Sequence, residues 1–267
     1  MQIYNIHAMI STSNLKLVRS LRQKKFRDLH RLYLVEGDKM VKELLSCENR
    51  EGGHRIQQLF AGGDWIARNS SVLAGTGIII HETDEPEMKK ISNLVTPQPV
   101  LALVSIPEPG RVAEDLAGNT VLVFDAIRDP GNLGTIIRTA GWFGINHIVC
   151  SPDSTDAYNG KVVQATMGAL VRVKIYYTEI ETLLSGPGMK ERTVYGTFLK
   201  GENIYGVSLA PGSLYLFGNE SHGLSDKYDP YITRRIFIPP FSTGNHGGES
   251  LNVASAVSVI CSEIRRG

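Results

Sequence analysis

Three short stretches of this chain carry amides, carboxylates and an arginine at turn-like spacings. The first is Asp129-Pro130-Gly131-Asn132-Leu133-Gly134, with Arg138 four residues past Gly134. The second is Leu216-Phe217-Gly218-Asn219-Glu220-Ser221-His222-Gly223-Leu224, which ends a strand in a glycine-containing turn with an acid at its tip. The third is Ile238-Pro239 followed, after PFSTGNHGGE, by Ser250-Leu251-Asn252-Val253-Ala254. These groups bind and orient rather than attack. Ser221 and His222 are chain neighbours whose side chains point apart, and no GxSxG elbow surrounds them, so a Ser-His nucleophile is not supported. Asn132 can cap a helix behind the first turn. That start places Arg138 about one turn inside the helix, where its guanidinium reaches back over the turn. A capped strand–helix corner with a surface arginine is the plainer reading of the same residues.

The elements that must hold these groups read as an α/β fold. Val121–Phe124 is an apolar run of strand length, and Ile136, Ile137, Ala140 and Phe143 recur at helical spacing after the turn. In such a unit the active groups gather where the strand's carboxyl end meets the helix. Further strands are expected at His147–Cys150, Val173–Tyr177, Val194–Thr197, Ser213–Gly218 and Arg235–Pro239. Helices are expected at Gly160–Leu170, Ile180–Leu184 and Leu251–Arg265. This alternation predicts a mostly parallel sheet covered on both faces. No GxGxxG follows a predicted strand and no GxxxxGK[ST] is present, which argues against a nicotinamide enzyme and a P-loop.

The first hundred residues form a second α/β pattern. Asn14 to Arg31 carries Lys16, Arg19, Arg22, Lys24, Lys25, Arg27 and Arg31 against one acid, Asp28, punctuated by Leu15, Val18, Leu21 and Leu29. It reads as one basic amphipathic helix or two short ones, and either as a solvated face or as a contact for a polyanion through Arg22, Lys24, Lys25 and Arg27. LYLVEGDKMVKELL continues as strand then helix. Strands at Ile56–Ala61, Gly77–His81 and Val100–Ile106 and helices at Asp64–Arg68 and Glu85–Leu94 follow. PEPGRVAEDLAGN, with two prolines and two glycines, reads as a linker. The expected division is therefore a domain at 1–105, a linker at 106–119 and a second domain at 120–267.

Composition sets outer bounds. The 267 residues are 42% hydrophobic and 21% charged, with a net charge of +1, so affinity for nucleic acid must come from a local basic patch. Cys47, Cys150 and Cys261 show no CxxC spacing, which favours neither zinc nor disulfides and suits a reducing compartment. MQIYNIHAMI lacks the features of a signal peptide and no run approaches membrane-spanning length, so a cytoplasmic protein is the expectation.

Taken together, DPGNLG with Arg138, LFGNESHGL, and IP with SLNVASA resemble the signatures of the SpoU/TrmH family of RNA 2′-O-ribose methyltransferases, part of the SPOUT superfamily. NGKVVQATMGA is similar to another family segment, with Gln164 in place of a frequent arginine. LRQKK, LVEG and VKELL resemble the L30e-like substrate-binding domain that precedes many of these enzymes, which implies that Arg22, Lys24, Lys25 and Arg27 hold RNA. The resemblance implies a trefoil-knotted catalytic domain, a homodimer, S-adenosylmethionine as methyl donor and no metal. It implies donor contacts at Thr197, Gly218, Asn219, Ile238 and Leu251. Arg138 then acts on the acceptor hydroxyl, within a constellation held by Asn132, Glu220, Ser250 and Asn252. Ribosomal RNA is the expected substrate, with transfer RNA as the alternative, and a non-catalytic RNA-binding protein on this scaffold is the competing class. The segment before Ser250 is about four residues longer than the family spacing, so a loop extension containing His246 is expected there, with cofactor contacts around 241–248 left open.

Overall fold

The computed structural model describes residues 6–8, 10–47, 53–108, 110, 112–241 and 250–266. In chain order the elements are β1 (Ile6–Ala8), α1 (Thr12–Ser20), α2 (Lys24–His30), β2 (Leu32–Glu36), α3 (Asp38–Cys47), β3 (Ile56–Ala61), α4 (Gly63–Arg68), α5 (Ser70–Leu73), β4 (Ile79–Glu82), α6 (Glu85–Ile91) and β5 (Val100–Ser105). They continue as α7 (Val112–Leu116), β6 (Val121–Phe124), α8 (Pro130–Trp142), β7 (His147–Cys150), α9 (Gly160–Thr166), β8 (Lys174–Tyr177), α10 (Ile180–Ser185), β9 (Val194–Asn203), β10 (Leu214–Phe217), β11 (Arg234–Phe237) and α11 (Val253–Arg266). Two compact units result, Met1–Glu108 with Tyr158–Val171, and Pro109–Ala157 with Arg172–Gly267. Among the described residues no helix is long and apolar enough to cross a membrane.

The first unit is a five-stranded mixed sheet in the order β1-β4-β3-β5-β2. Its basic segment breaks into two helices because Arg27 folds back on the first. The Arg27 guanidinium, buried at 4% exposure, donates from Nη1 to Leu21 O at 2.8 Å and to Arg22 O at 3.0 Å. Carbonyls at a helix end have no intrahelical partner, and here an arginine from α2 satisfies them. At the end of β2 the buried Glu36 carboxylate accepts from Ser92 Oγ at 2.5 Å and from Asn93 N at 2.9 Å.

Two stretches settle away from the expected division. Within the expected linker, α7 forms, and its Leu116 is fully buried in the core of the second unit. Asp115 on the same turn accepts from Tyr176 Oη at 2.9 Å. Prolines and glycines flank this helix, which hides its short apolar face from pattern reading. Residues 158–171, expected within the second domain, pack with the first unit. Gln164 Nε2 donates to Glu36 O at 2.9 Å, and Val163 and Leu170 pack near Tyr33, Met40 and Leu44. The apolar side of α9 finds its cover there, and no local signal announces a partner more than a hundred residues away.

The second unit is a six-stranded sheet in the order β11-β9-β10-β6-β7-β8, every pair parallel. β6 and β10 lie at its centre and are buried throughout, with Phe124 and Phe217 stacked at 5.1 Å. Such continuously apolar strands are what a parallel sheet covered on both faces requires. α11 packs on α8, and Arg265 closes the pair by donating to Phe143 O at 2.6 Å and Gly144 O at 2.8 Å.

In the first unit His54 sits 3.0 Å from Tyr33 Oη, and burial lowers its pKa to about 4. The unfolded chain titrates near the ordinary histidine value of about 6.5. Between those values the unfolded state takes up a proton that the folded state refuses, so stability is lost as pH falls from about 6.5 towards 4. Trp65 is buried in this unit while Trp142 is already 86% exposed, so tryptophan emission reports unfolding around Trp65. Urea midpoints by emission are expected to fall between pH 7 and pH 5, with a shallower fall in His54→Phe.

Candidate active site

β6 lies between β7 on one side and β10 on the other, and their register puts Phe217 level with Phe124 and Cys150. The chain runs outward from β6 to β7 and β8, then crosses back to build β9, β10 and β11. The carboxyl ends of β6 and β10 therefore meet where the strand order reverses, which is where open α/β sheets bind ligands. The first two sequence clusters are the turns leaving these two strands.

α8 starts earlier than expected, because Asp129 is its cap. Asp129 Oδ1 accepts from Asn132 N at 2.7 Å, and Pro130 opens the first turn, where a missing N–H costs nothing. Asn132 is thereby released from capping. Its Nδ2 donates to Glu220 Oε1 at 2.8 Å, and its Oδ1 accepts from Asn252 Nδ2 at 3.0 Å. Asn252 is the residue that caps α11, its Oδ1 accepting from Ala254 N at 2.9 Å and Ser255 N at 3.3 Å. The cap fixes which end of the Asn252 amide faces Asn132, and that in turn fixes which end of Asn132 faces the carboxylate. Asn132 and two expected site residues, Glu220 at 88 and Asn252 at 120 positions from it in sequence, form one directed chain of hydrogen bonds. Ser250 and Leu251 lead directly into it and are exposed.

Arg138 is not part of this chain. The earlier helix start puts it eight residues past Pro130 rather than one turn in. At 3.6 residues per turn, six residues from Asn132 is a rotation of about 240°, so it faces another side of α8. It is exposed, like Thr135 and Trp142, and has no hydrogen-bond or ion-pair partner among the described residues.

The turn after β10 is held by backbone proximity. A Cβ at Gly218 would lie 2.0 Å from Gly223 C and 2.1 Å from Leu224 N, so only glycine lets the loop close. Asn219 pairs with Gly223 through both backbone groups at 3.1 and 2.9 Å, and its side chain donates to Ala126 O at 2.8 Å. The Asn219 side chain thus ties the two turns together, a role its neighbours in sequence do not reveal. Thr197 Oγ1 donates to Leu216 O at 2.9 Å, one strand over, and Ile238 is half-buried just past β11. Ser221 and His222 make no hydrogen bond to each other among the described residues. His222 lies 3.4 Å from Asn219 Oδ1 instead. The expected loop extension with His246 falls at 242–249, outside the described residues.

Gly218 and Ile238 lie just past the carboxyl ends of β10 and β11, Thr197 lies inside β9 just beyond Gly196, its last residue paired with β10, and Leu251 is exposed at 54%. Backbone amides, carbonyls and apolar side chains suit an adenine, and the Glu220 carboxylate suits a cationic sulfonium, so these residues fit S-adenosylmethionine. In the first unit Arg22, in the turn between α1 and α2, and Lys24 and Lys25 on α2 are exposed, Arg22 donating to Ser92 O at 2.8 Å and Lys25 lying 4.8 Å over the ring of Phe26. Arg27 corrects the expectation of an RNA contact. It is spent on the end of α1 and buried.

A fold and site of this kind define a transferase that aligns a polar acceptor at the end of a parallel sheet. Residues 119–262 match the SpoU rRNA Methylase family, and residues 13–102 match an MRM3-like substrate binding domain. The chain belongs to the SpoU rRNA methylase family and is an S-adenosylmethionine-dependent RNA 2′-O-ribose methyltransferase with an N-terminal substrate-binding domain. It is 27% identical to the 23S rRNA (guanosine(2553)-2′-O)-methyltransferase RlmP of Bacillus subtilis over 92% of this chain and 94% of that protein. It superposes with a TM-score of 0.83 on a putative RNA methyltransferase of the TrmH family from Porphyromonas gingivalis, at 35% identity over 97% of this chain and 100% of that one. An AdoMet-bound rRNA methyltransferase from Sinorhizobium meliloti matches with a TM-score of 0.82, at 27% identity over 98% of both chains.

Asn252→Asp tests the polarity of the hydrogen-bond chain. Aspartate caps a helix as well as asparagine does, so unfolding free energy should move by no more than about 0.5 kcal/mol. It cannot donate to Asn132, whose amide must then flip and point its oxygen at Glu220. Methyl transfer should fall at least tenfold at unchanged helix content, read by tritium incorporation beside circular dichroism.

Proposed function

We propose that the chain methylates the 2′-hydroxyl of a guanosine in ribosomal RNA, and that it does so as a homodimer of trefoil-knotted catalytic domains. The observation that carries the catalytic reading is the Asn252–Asn132–Glu220 chain, set where the sheet reverses its strand order. Ribosomal RNA and guanosine are supported by RlmP and by the RlmB of Neisseria meningitidis, both named as 23S rRNA guanosine 2′-O-methyltransferases. The knot is supported by the path of the last elements: β11 pairs with β9 at one edge, yet α11 returns to α8, whose strand β6 lies three places away.

S-adenosylmethionine supplies, when bound, a methyl group activated for displacement by the acceptor oxygen. What the protein adds is alignment of that oxygen and a route for its proton. Glu220, fixed through Asn132, presents a carboxylate at the reacting end of the site. A guanidinium is a very poor base, with a pKa above about 12, but its planar fork of donors can hold a hydroxyl and the neighbouring phosphate together. Arg138 has this role, and it is uncommitted among the described residues. Its face of α8 also carries the exposed Trp142, which suits an interface. In the dimer each protomer lends its Arg138 to the other's site. Exposed Arg22, Lys24 and Lys25 hold RNA phosphates from the substrate-binding domain.

Arg138→Ala should lose most methyl transfer while keeping calorimetric affinity for S-adenosylmethionine. Arg138→Lys should be nearly as damaged, because a point charge does not replace the fork. Mixing inactive Arg138→Ala with inactive Asn132→Ala protein should restore part of the activity. No restoration with a dimer present by sedimentation would place Arg138 in its own protomer's site.

Replacing Arg22, Lys24 and Lys25 by alanine should flatten the salt dependence of RNA binding by up to about 0.7–0.9 log units per lost contact. Arg27→Ala should instead cost about 1–3 kcal/mol of stability, since it strands two carbonyls at the end of α1. Salt titrations by anisotropy and urea unfolding separate the two roles.

A further inference from the structure

A cleft of about 720 Å³ opens beside the Asn132–Glu220 pair, lined by the turns that follow β6, β7 and β10. Pockets for small ligands span about 300–1,000 Å³, which makes this one large enough for a nucleoside. Five carboxylates line it, Asp125, Asp153 and Asp226 among them, against two cations, Arg128 and Lys227. Both cations are partly spent, Lys227 lying 3.6 Å from Glu181 and Arg128 3.7 Å from Asp153. A field of that sign repels a phosphate. Among the described residues no group of three or more acids, histidines or cysteines is placed to hold a metal ion. Of the uncharged groups that an RNA carries, the ones such a wall favours are those rich in N–H donors.

Asp125 is the carboxylate best placed to meet one. It is half-buried at the end of β6, and its Oδ1 accepts from Tyr228 Oη at 3.0 Å, while its Oδ2 has no partner among the described residues. Burial first, and the Asp125 charge after it, raise the Tyr228 pKa, so the phenol stays a donor. Beside it the wall is rigid. Ala126 holds φ at +53°, with its N–H donating to Ser151 Oγ at 2.8 Å and its carbonyl accepting from Asn219.

The four bases differ in what they offer such a group. Guanine alone presents two adjacent donors, N1–H and N2–H, that match the two oxygens of one carboxylate. Uracil presents a single N–H between two carbonyls that a carboxylate repels, and adenine and cytosine pair their amine with an acceptor nitrogen. Sequence-specific RNA recognition reads unstacked bases on these edges. We infer that this cleft takes the unstacked base of the acceptor nucleotide and that Asp125 reads it as guanine, both oxygens accepting from N1–H and N2–H. The inference rests on the methyltransferase reading and adds to it the residue that selects the base.

The test uses the full chain saturated with S-adenosylhomocysteine and the nucleosides guanosine, inosine, adenosine and uridine as probes, with binding read by saturation-transfer NMR. A bidentate contact discriminates between bases by about 1–3 kcal/mol, so guanosine should bind about tenfold tighter than uridine or adenosine. Inosine, which lacks the 2-amino group, should fall between them. Asp125→Asn still accepts from Tyr228 and should abolish the preference, with S-adenosylmethionine affinity by calorimetry unchanged within twofold. Tyr228→Phe leaves the carboxylate but releases it, and should weaken guanosine binding several-fold without affecting uridine. Equal binding of all four nucleosides to the unaltered protein, or a guanosine preference that survives Asp125→Asn, overturns the inference. So does a tenfold loss of donor affinity in Asp125→Asn, which would assign the cleft to the donor. Tritium transfer into in vitro-transcribed ribosomal RNA runs alongside. Absence of transfer by the unaltered protein sinks the ribosomal RNA reading, whereas transfer to guanosine at full rate by Asp125→Asn sinks only the cleft.

Discussion

The hydrogen bond from Asn132 to Glu220, at 2.8 Å, exists because β6 and β10 are neighbours in a parallel sheet and end at the same level. Parallel strands cannot be joined by a tight turn, so the two loops that leave them come from distant parts of the chain. Their meeting is a property of the sheet alone. Asn132, Glu220 and Asn252 are attached to these two loops and to the start of α11, which docks on α8. The helix caps at Asp129 and Asn252 do more than end helices. One frees the Asn132 side chain, and the other dictates the direction in which its amide points.

The site separates residues that are consumed by structure from those that are not. Gly218 is required because the chain passes over it at bonding distance, and Asn219 spends its amide on Ala126 and its carbonyl oxygen on Ser221. Thr197 is engaged by Leu216. Among the described residues Glu220 keeps a free face and Arg138 keeps its whole guanidinium. A polar side chain that folding does not use is available for a substrate, and this contrast marks the acid and the arginine more clearly than their types do.

The same sorting applies to the first unit. Arg27 and Glu36 are charged residues that the unit buries, one to close a helix and the other to hold the segment from Ser92 to Asn93. Burial of a charge is tolerated only where hydrogen bonds replace water, and both residues meet that condition. Lys16, Arg19, Arg22, Lys24 and Lys25 keep their solvent exposure while Arg31 is half-buried and donates to Pro107 O, so what remains for an RNA backbone is narrower than the seven basic residues of the stretch suggest.

The strands of this protein are legible from local composition. Val121–Phe124, His147–Cys150 and Ile56–Ala61 follow directly from apolar runs bounded by turn residues, since a strand buried on both faces must be apolar throughout. The three motifs and their order likewise sit in the sequence, and with them the family. The side-chain partners do not. The Asp129 cap and the Arg27 contacts are short-range choices among several competing side chains, while that α9 packs against the first unit and that α7 interrupts an apparent linker depend on partners remote in sequence. The cleft at Asp125 has the same origin, for its lining comes from three turns that only the strand order brings together. Local pattern sets which backbone a segment adopts, because that choice costs a few residues' worth of dihedral freedom. Which polar group meets which is decided by the register of the sheet, and register is a tertiary quantity.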